Sequence, residues 1–274
     1  MSTSPEHPSA MHAPAAHRRA SRWRARARRV AASTVLLAAL ALPAAAEEWA
    51  PGPVGIGRID HANALVVTRG EATAVLRLAG VEAANRHDGE LSTQAVDALR
   101  RWLEDGRGEL LDARPGTRTD LIGMLRTSSG ALVNAELIRN GYALVDPTGV
   151  SEGYAQTLVL AQQEAKANGA GLWGRPLLPA DRVRTDSAQI ATVCGAVGSM
   201  RRDSERGGLI HLGGAYPRNQ LVIEVREEIA GLVLGRMRLE QEICVTGRLE
   251  PTAIVPRVLV VDEMQIRPRR PEGR

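Results

Sequence analysis

Apolar positions across residues 58–175 switch between two periods. Ala64–Thr68 and Thr73–Leu78 are short runs rich in Val and Leu, split by Arg69-Gly70-Glu71, which reads as a hairpin turn. Over Leu91–Glu104 the period becomes helical, with Leu91, Val96, Leu99, Trp102 and Leu103 on one side. Ser92 or Asp88 is placed to cap that helix and Gly106 to stop it. Leu121–Arg126 reads as a strand and Val133–Arg139 as a short helix ended by Asn140-Gly141. Tyr142–Val145 is strand-like again, and Tyr154–Ala167 is helical up to Asn168-Gly169. Strands lead and helices surround them, the order of a small barrel with packed helices rather than of βαβ units.

Residues 176–188 contain Pro176, Pro179 and several charges, the composition of a linker, and residues 47–57 read the same way. From residue 189 to 266 the pattern is of strands: Ile190–Val197, Leu209–Leu212, Gln220–Val225, Glu242–Leu249 and Val258–Val261. A candidate helix, Glu227–Arg238, lies between the third and fourth. Five strands with a helix in that place are the layout of an OB-fold, in which the first and fourth strands are neighbours. Cys194 and Cys244 fall on those two strands, so a cross-strand disulfide is expected; two buried thiols are the alternative. The tail 267–274, with Arg267, Arg269, Arg270 and Arg274, reads as a solvated end.

Charge enters only after the first 46 residues are set apart. Arginines crowd Arg18–Arg29, an uncharged run follows from Val30, and Pro43 precedes Ala44-Ala45-Ala46. Basic, apolar, then small is the order of a secretory signal peptide, with an uncleaved anchor as the alternative. The chain's net charge is +4, but this leader holds seven Arg and one acid. The remainder has 28 basic residues (35 less 7) and 30 acidic (31 less 1), a net of −2. Affinity for nucleic acid rests largely on Lys and Arg at phosphates, so strong nucleic-acid binding is not expected. A periplasmic or secreted location is expected, and two Cys in an oxidising compartment fit one disulfide.

Leu76-Arg77-Leu78-Ala79-Gly80-Val81-Glu82-Ala83-Ala84-Asn85 resembles the signature of the staphylococcal nuclease (thermonuclease) family. Val133-Asn134-Ala135-Glu136-Leu137-Ile138-Arg139-Asn140-Gly141-Tyr142-Ala143 and the closing Gly171-Leu172-Trp173 are similar to its later motifs, in the same order. The resemblance covers residues 58–175 and implies an OB-like barrel with packed helices; with the strand pattern after it, the chain reads as mostly β, that barrel followed by a second, smaller OB-like barrel. Leu209–Arg218 resembles the small domain that follows this nuclease domain in some exported bacterial proteins.

The family cleaves phosphodiesters with a Ca²⁺ on oxygen ligands, a carboxylate that deprotonates water, and two Arg that grip phosphate. The resemblance places the two carboxylate ligands at Asn63 and Glu82, the base at Asn85, and the two Arg at Arg77 and Asp120. An amide replaces one ligand, another amide replaces the base, and an acid reverses the second Arg. Arg77 alone is intact, and it is expected to pair with Asp120 or Glu82 rather than hold an anion. His61 and His87 offer a replacement base or transition-metal pair; the plainer reading makes both exposed loop residues. Tyr216 with Arg218 offers a contact for nucleic acid or glycan, against a role in loop packing.

These readings lead to an exported chain, catalytically inactive, serving as a binding or assembly module of the cell envelope with no cofactor. The alternative is a Ca²⁺-dependent nuclease with an altered site. A third reading uses the second barrel's outer face and strand edges to take a partner.

Overall fold

The computed structural model describes residues 49–116, 120–203 and 207–269. The expected leader at 1–46 and the end of the basic tail, 270–274, lie outside the described residues.

The first barrel is built from β1 (Gly52–His61), β2 (Ala64–Arg69), β3 (Ala72–Leu78), β5 (Arg107–Pro115) and β6 (Asp120–Thr127). It closes in the order β1-β2-β3-β6-β5, with β3 and β6 parallel and the other pairs antiparallel. Alternation sets which side chains fill it: β3 buries Ala74, Leu76 and Leu78 and turns Thr73 and Arg77 outward. Helix α1 (Glu90–Trp102) connects the third and fourth strands of this barrel and buries Leu91, Ala95, Val96, Ala98 and Leu99. Short β4 (Val81–Ala83) pairs with β7 (Ala143–Val145) beside α2 (Val133–Arg139) and α3 (Glu152–Asn168). The core is aliphatic, centred on Leu65, Leu76, Leu110, Met124 and Leu125.

The second barrel repeats this topology. After β8 (Leu178–Pro179), the strands β9 (Ile190–Asp203), β10 (Gly207–Leu212), β11 (Leu221–Val225), β12 (Glu242–Glu250) and β13 (Arg257–Val260) close as β9-β10-β11-β13-β12. Here too the third and fifth strands, β11 and β13, run parallel. Helix α4 (Glu227–Arg236) again lies between the third and fourth strands, and β14 (Ile266–Pro268) pairs with β12. Cys194 and Cys244 are register partners across β9 and β12, their Cα atoms 4.0 Å apart, and form a disulfide.

Several expectations need correction. The barrel begins at Gly52, inside the expected 47–57 linker, because three glycines and Pro53 disguise β1 and only Val54 and Ile59 are buried in it. Strand β5 was not expected at all: its polar positions Arg107, Glu109, Asp112 and Arg114 hide the buried Gly108 and Leu110. The expected 176–188 linker carries β8, paired with β9, and buries Ala180 in the second core. The tail from 267 is paired at its start rather than a free solvated end: β14 includes Arg267, and Arg269 N–H donates to Glu242 C=O at 2.9 Å. Neither expected cap serves α1, whose N-cap is Gly89 with no side-chain cap and which ends at Trp102, before Gly106.

A small apolar cluster joins the two barrels: Ala84, Leu91, Leu144 and Leu172 of the first surround Ile190 at the head of β9. The closing motif is held there by a backbone crossing. Gly141 and Gly171 both have positive φ, and a Cβ on Gly141 would sit 2.1 Å from the Ala170 oxygen. Leu172 N–H donates to Gly141 C=O at 3.0 Å across this crossing.

Candidate functional site

Arg77 and Asp120 stand on neighbouring parallel strands, with Arg77 opposite Ile122 and Asp120 opposite Val75. Two residues of stagger keep both on one face of the sheet. Arg77 Nε donates to Asp120 Oδ2 at 2.7 Å. The retained guanidinium is thus engaged by the acid that stands where a second arginine is expected. Asn63, in the turn before β2, accepts Leu78 N–H through its carbonyl at 3.0 Å, and its neighbour Ala64 pairs with Arg77. The same edge of the barrel therefore presents Asn63, Arg77 and Asp120.

Glu82 lies on β4, directed to the second barrel. Arg248 of β12 donates from Nε to Glu82 Oε1 at 2.8 Å and from Nη2 to Ala83 C=O at 2.9 Å. Its Nη1 donates to Asp88 Oδ2 at 3.2 Å and to Ala188 C=O at 3.0 Å. Every guanidinium nitrogen is engaged, and two carboxylates share its charge.

Asp88 is 1% exposed. Besides Arg248 it accepts Asn85 N–H at 2.7 Å and Ile190 N–H at 2.5 Å, so its two oxygens tie the first barrel to the first strand of the second. Asn85 in turn accepts His87 N–H at 2.9 Å. The pair forms a reciprocal capping box around the 3₁₀ turn Arg86–Asp88. At the position expected for a general base stands an amide that shapes a turn.

Glu82, Asp146, Arg248, Glu250, Leu259 and Val261 line a cavity of about 160 Å³ between the barrels. Burial raises the Glu82 pKa above its ordinary carboxylate value; Arg248 opposes that rise, and Asp146 and Glu250 add to it. A calcium ion is a poor fit to this donor set. Glu82 is bound to a guanidinium, and Asn63 brings no charge. Among the described residues no group of three or more His, Cys, Asp or Glu is placed to hold a metal. His61 ends β1 exposed, and His87 is an exposed residue of the 3₁₀ turn whose Nε2 accepts from Arg86 at 3.3 Å.

The site thus divides in two: Arg77 with Asp120 and Asn63 at one edge, and Glu82, Asn85 and Asp88 gathered around Arg248. Sequence reasoning missed Arg248 and gave Asp88 the wrong task. A single Arg between Gly247 and Leu249 on a strand reads as a solvated residue, and only the docking of the barrels makes it an internal one. Asp88, two residues before an apolar helical stretch, reads as a helix cap.

Asn134 braces the signature from behind. It is fully buried, accepting Leu125 N–H at 3.1 Å and donating to Ala79 C=O at 2.7 Å. It fixes the β3–β4 turn, and hence the offset between Arg77 and Glu82, against β6.

The family model described as Staphylococcal nuclease homologue matches residues 75–175. The matched stretch begins in β3, so it holds Arg77, Glu82, Asn85 and Asp120 and ends at the closing Gly-Leu-Trp motif. No curated protein matches the chain.

Proposed function

We propose that the staphylococcal nuclease homologue domain of this chain has given up phosphodiester cleavage and serves, docked on a second OB-like barrel, as a scaffold in an exported binding or assembly module. The observation that carries this reading is Arg248. Its guanidinium neutralises Glu82, the one acid left at a position expected to hold the metal. Asn85 has no proton-accepting carboxylate to activate water, and Asp120 puts negative charge where phosphate would meet positive.

Export rests on the leader pattern before Glu47 and on the Cys194–Cys244 disulfide, which fits an oxidising compartment. Among the described residues no helix is long and apolar enough to cross a membrane. Export together with the docking of the two barrels supports an envelope role, a platform for a partner rather than a cleft for a polymer.

Calcium titration by calorimetry tests the dismantled metal site. The proposal expects no saturable heat from the natural chain. Saturable binding that disappears in Glu82→Gln would favour the alternative, a Ca²⁺-dependent nuclease of altered chemistry.

A further inference from the structure

A large groove lies away from the site above, on the outer face of the second barrel. Its volume is about 780 Å³, within the range of small-molecule sites. Strand register lays its floor. Ser199, His211, Val222 and Arg257 form one row across β9, β10, β11 and β13. Arg201, Leu209 and Glu224 form the next. The barrel's own core takes the alternate residues, Ile210, Leu212 and Ile223. The loops Tyr216–Asn219 and Thr252–Val255 supply the walls.

Four features describe what would fill it. Leu209, Val222 and Ile254 make it apolar enough for a ring, and Tyr216 stands beside it 76% exposed. Its ring lies 6.1 Å from that of His211, which Ser199 Oγ meets at 2.7 Å. Asn219 is almost wholly buried, yet neither its amide nitrogen nor its oxygen has a partner among the described residues. An amide sets a donor beside an acceptor, the pattern that a nucleobase edge answers. Among the lining residues two guanidiniums, Arg201 and Arg257, stand against one carboxylate, Glu224, which pairs with Arg257 at 2.8 Å. Arg201 reaches Asp203 only at 3.8 Å and is largely exposed. Burial and Arg201 lower the His211 pKa, so this ring is neutral near pH 7 and leaves the anion to the arginines.

We propose that this groove binds a nucleotide unit, a planar base with its phosphate, either free or within a single strand. The base would stack on Tyr216 beside the lining residue Asn219, and the phosphate would meet Arg201. A neutral sugar chain would offer no anion to the largely exposed Arg201. A site for one unit needs no basic surface along a polymer, so it agrees with the near-neutral charge of the chain after its leader.

The test is calorimetric titration of the full chain, with chelator present so that any cleavage is silent, using AMP, a single-stranded tetranucleotide and a neutral hexasaccharide. Saturable binding of AMP and the tetranucleotide with equal affinity supports a reader of free nucleotides; tighter binding of the tetranucleotide supports a reader of strands. Tyr216→Ala, an exposed position, should weaken either by about five-fold or more, and Arg201→Gln should weaken binding and flatten its salt dependence. No saturable binding of either nucleotide probe, binding indifferent to both variants, or preference for the hexasaccharide would overturn the proposal. Because chelator removes any calcium-dependent activity, these outcomes do not depend on whether the first barrel cleaves.

Discussion

Arg248, on the fourth strand of the second barrel, donates to the Glu82 carboxylate of the first at 2.8 Å and reaches the buried Asp88 with the same guanidinium. One side chain therefore both couples the barrels and occupies the acid on which a calcium site would depend.

Removing that arginine should cost far more than removing its half-buried partner, Glu82. Arg248→Met leaves Asp88 buried with only two backbone donors, and a loss of about 3 kcal/mol in unfolding free energy is expected. Glu82→Gln keeps Arg248 on Asp88 and two carbonyls, and Glu82 is partly exposed, so a change of about 1 kcal/mol or less is expected. Urea unfolding of the two variants checks the asymmetry.

The raised Glu82 pKa gives a pH dependence with a definite sign. In the window from the ordinary carboxylate value up to the folded one, the native state holds more protons than the unfolded state. Stability from this group is present below that window and is lost as pH rises through it. Asp146 and Glu250 sharpen the effect and Arg248 blunts it. Measured by denaturant unfolding from pH 4 upward, the natural chain should lose stability relative to Glu82→Gln as pH rises. An unchanging difference would contradict the burial assigned to this carboxyl.

Asn134→Ala should destabilise the first barrel by about 3 kcal/mol, since Leu125 N–H and Ala79 C=O are left unpaired in the core. A thermal melt of the variant checks this.

Among the described residues, reading the sequence forward recovered most of the strands, and all four α-helices to within a few residues, because their aliphatic positions follow clean periods: Ala74, Leu76 and Leu78 alternate, and Leu91, Ala95 and Leu99 recur by turns. Strands β1 and β5 escaped because their inward positions are few and partly glycine, and β4, β8 and β14 because they are only two or three residues long. The candidate site was half legible. Asp120 faces Arg77 on an adjacent strand, a local relation that the reversed charge announces. Arg248 is 166 residues from Glu82, and no period or spacing carries that distance.

The disulfide closes a loop of 50 residues between the first and fourth strands of the second barrel. Replacing both Cys194 and Cys244 by Ser should cost roughly 2–4 kcal/mol. The loss should appear equally on adding reductant to the natural chain in a chemical unfolding experiment.

The central claim is that the nuclease site is dismantled while its fold is kept. The most direct test is single-stranded DNA cleavage by the natural chain with excess calcium and with chelator, beside the combined Asn63→Asp, Asn85→Glu, Asp120→Arg variant with Arg248→Met added to free Glu82. The account predicts no calcium-dependent cleavage by the natural chain and measurable cleavage by the variant wherever it remains folded. Calcium-dependent cleavage by the natural chain, abolished by Arg77→Ala, would contradict it.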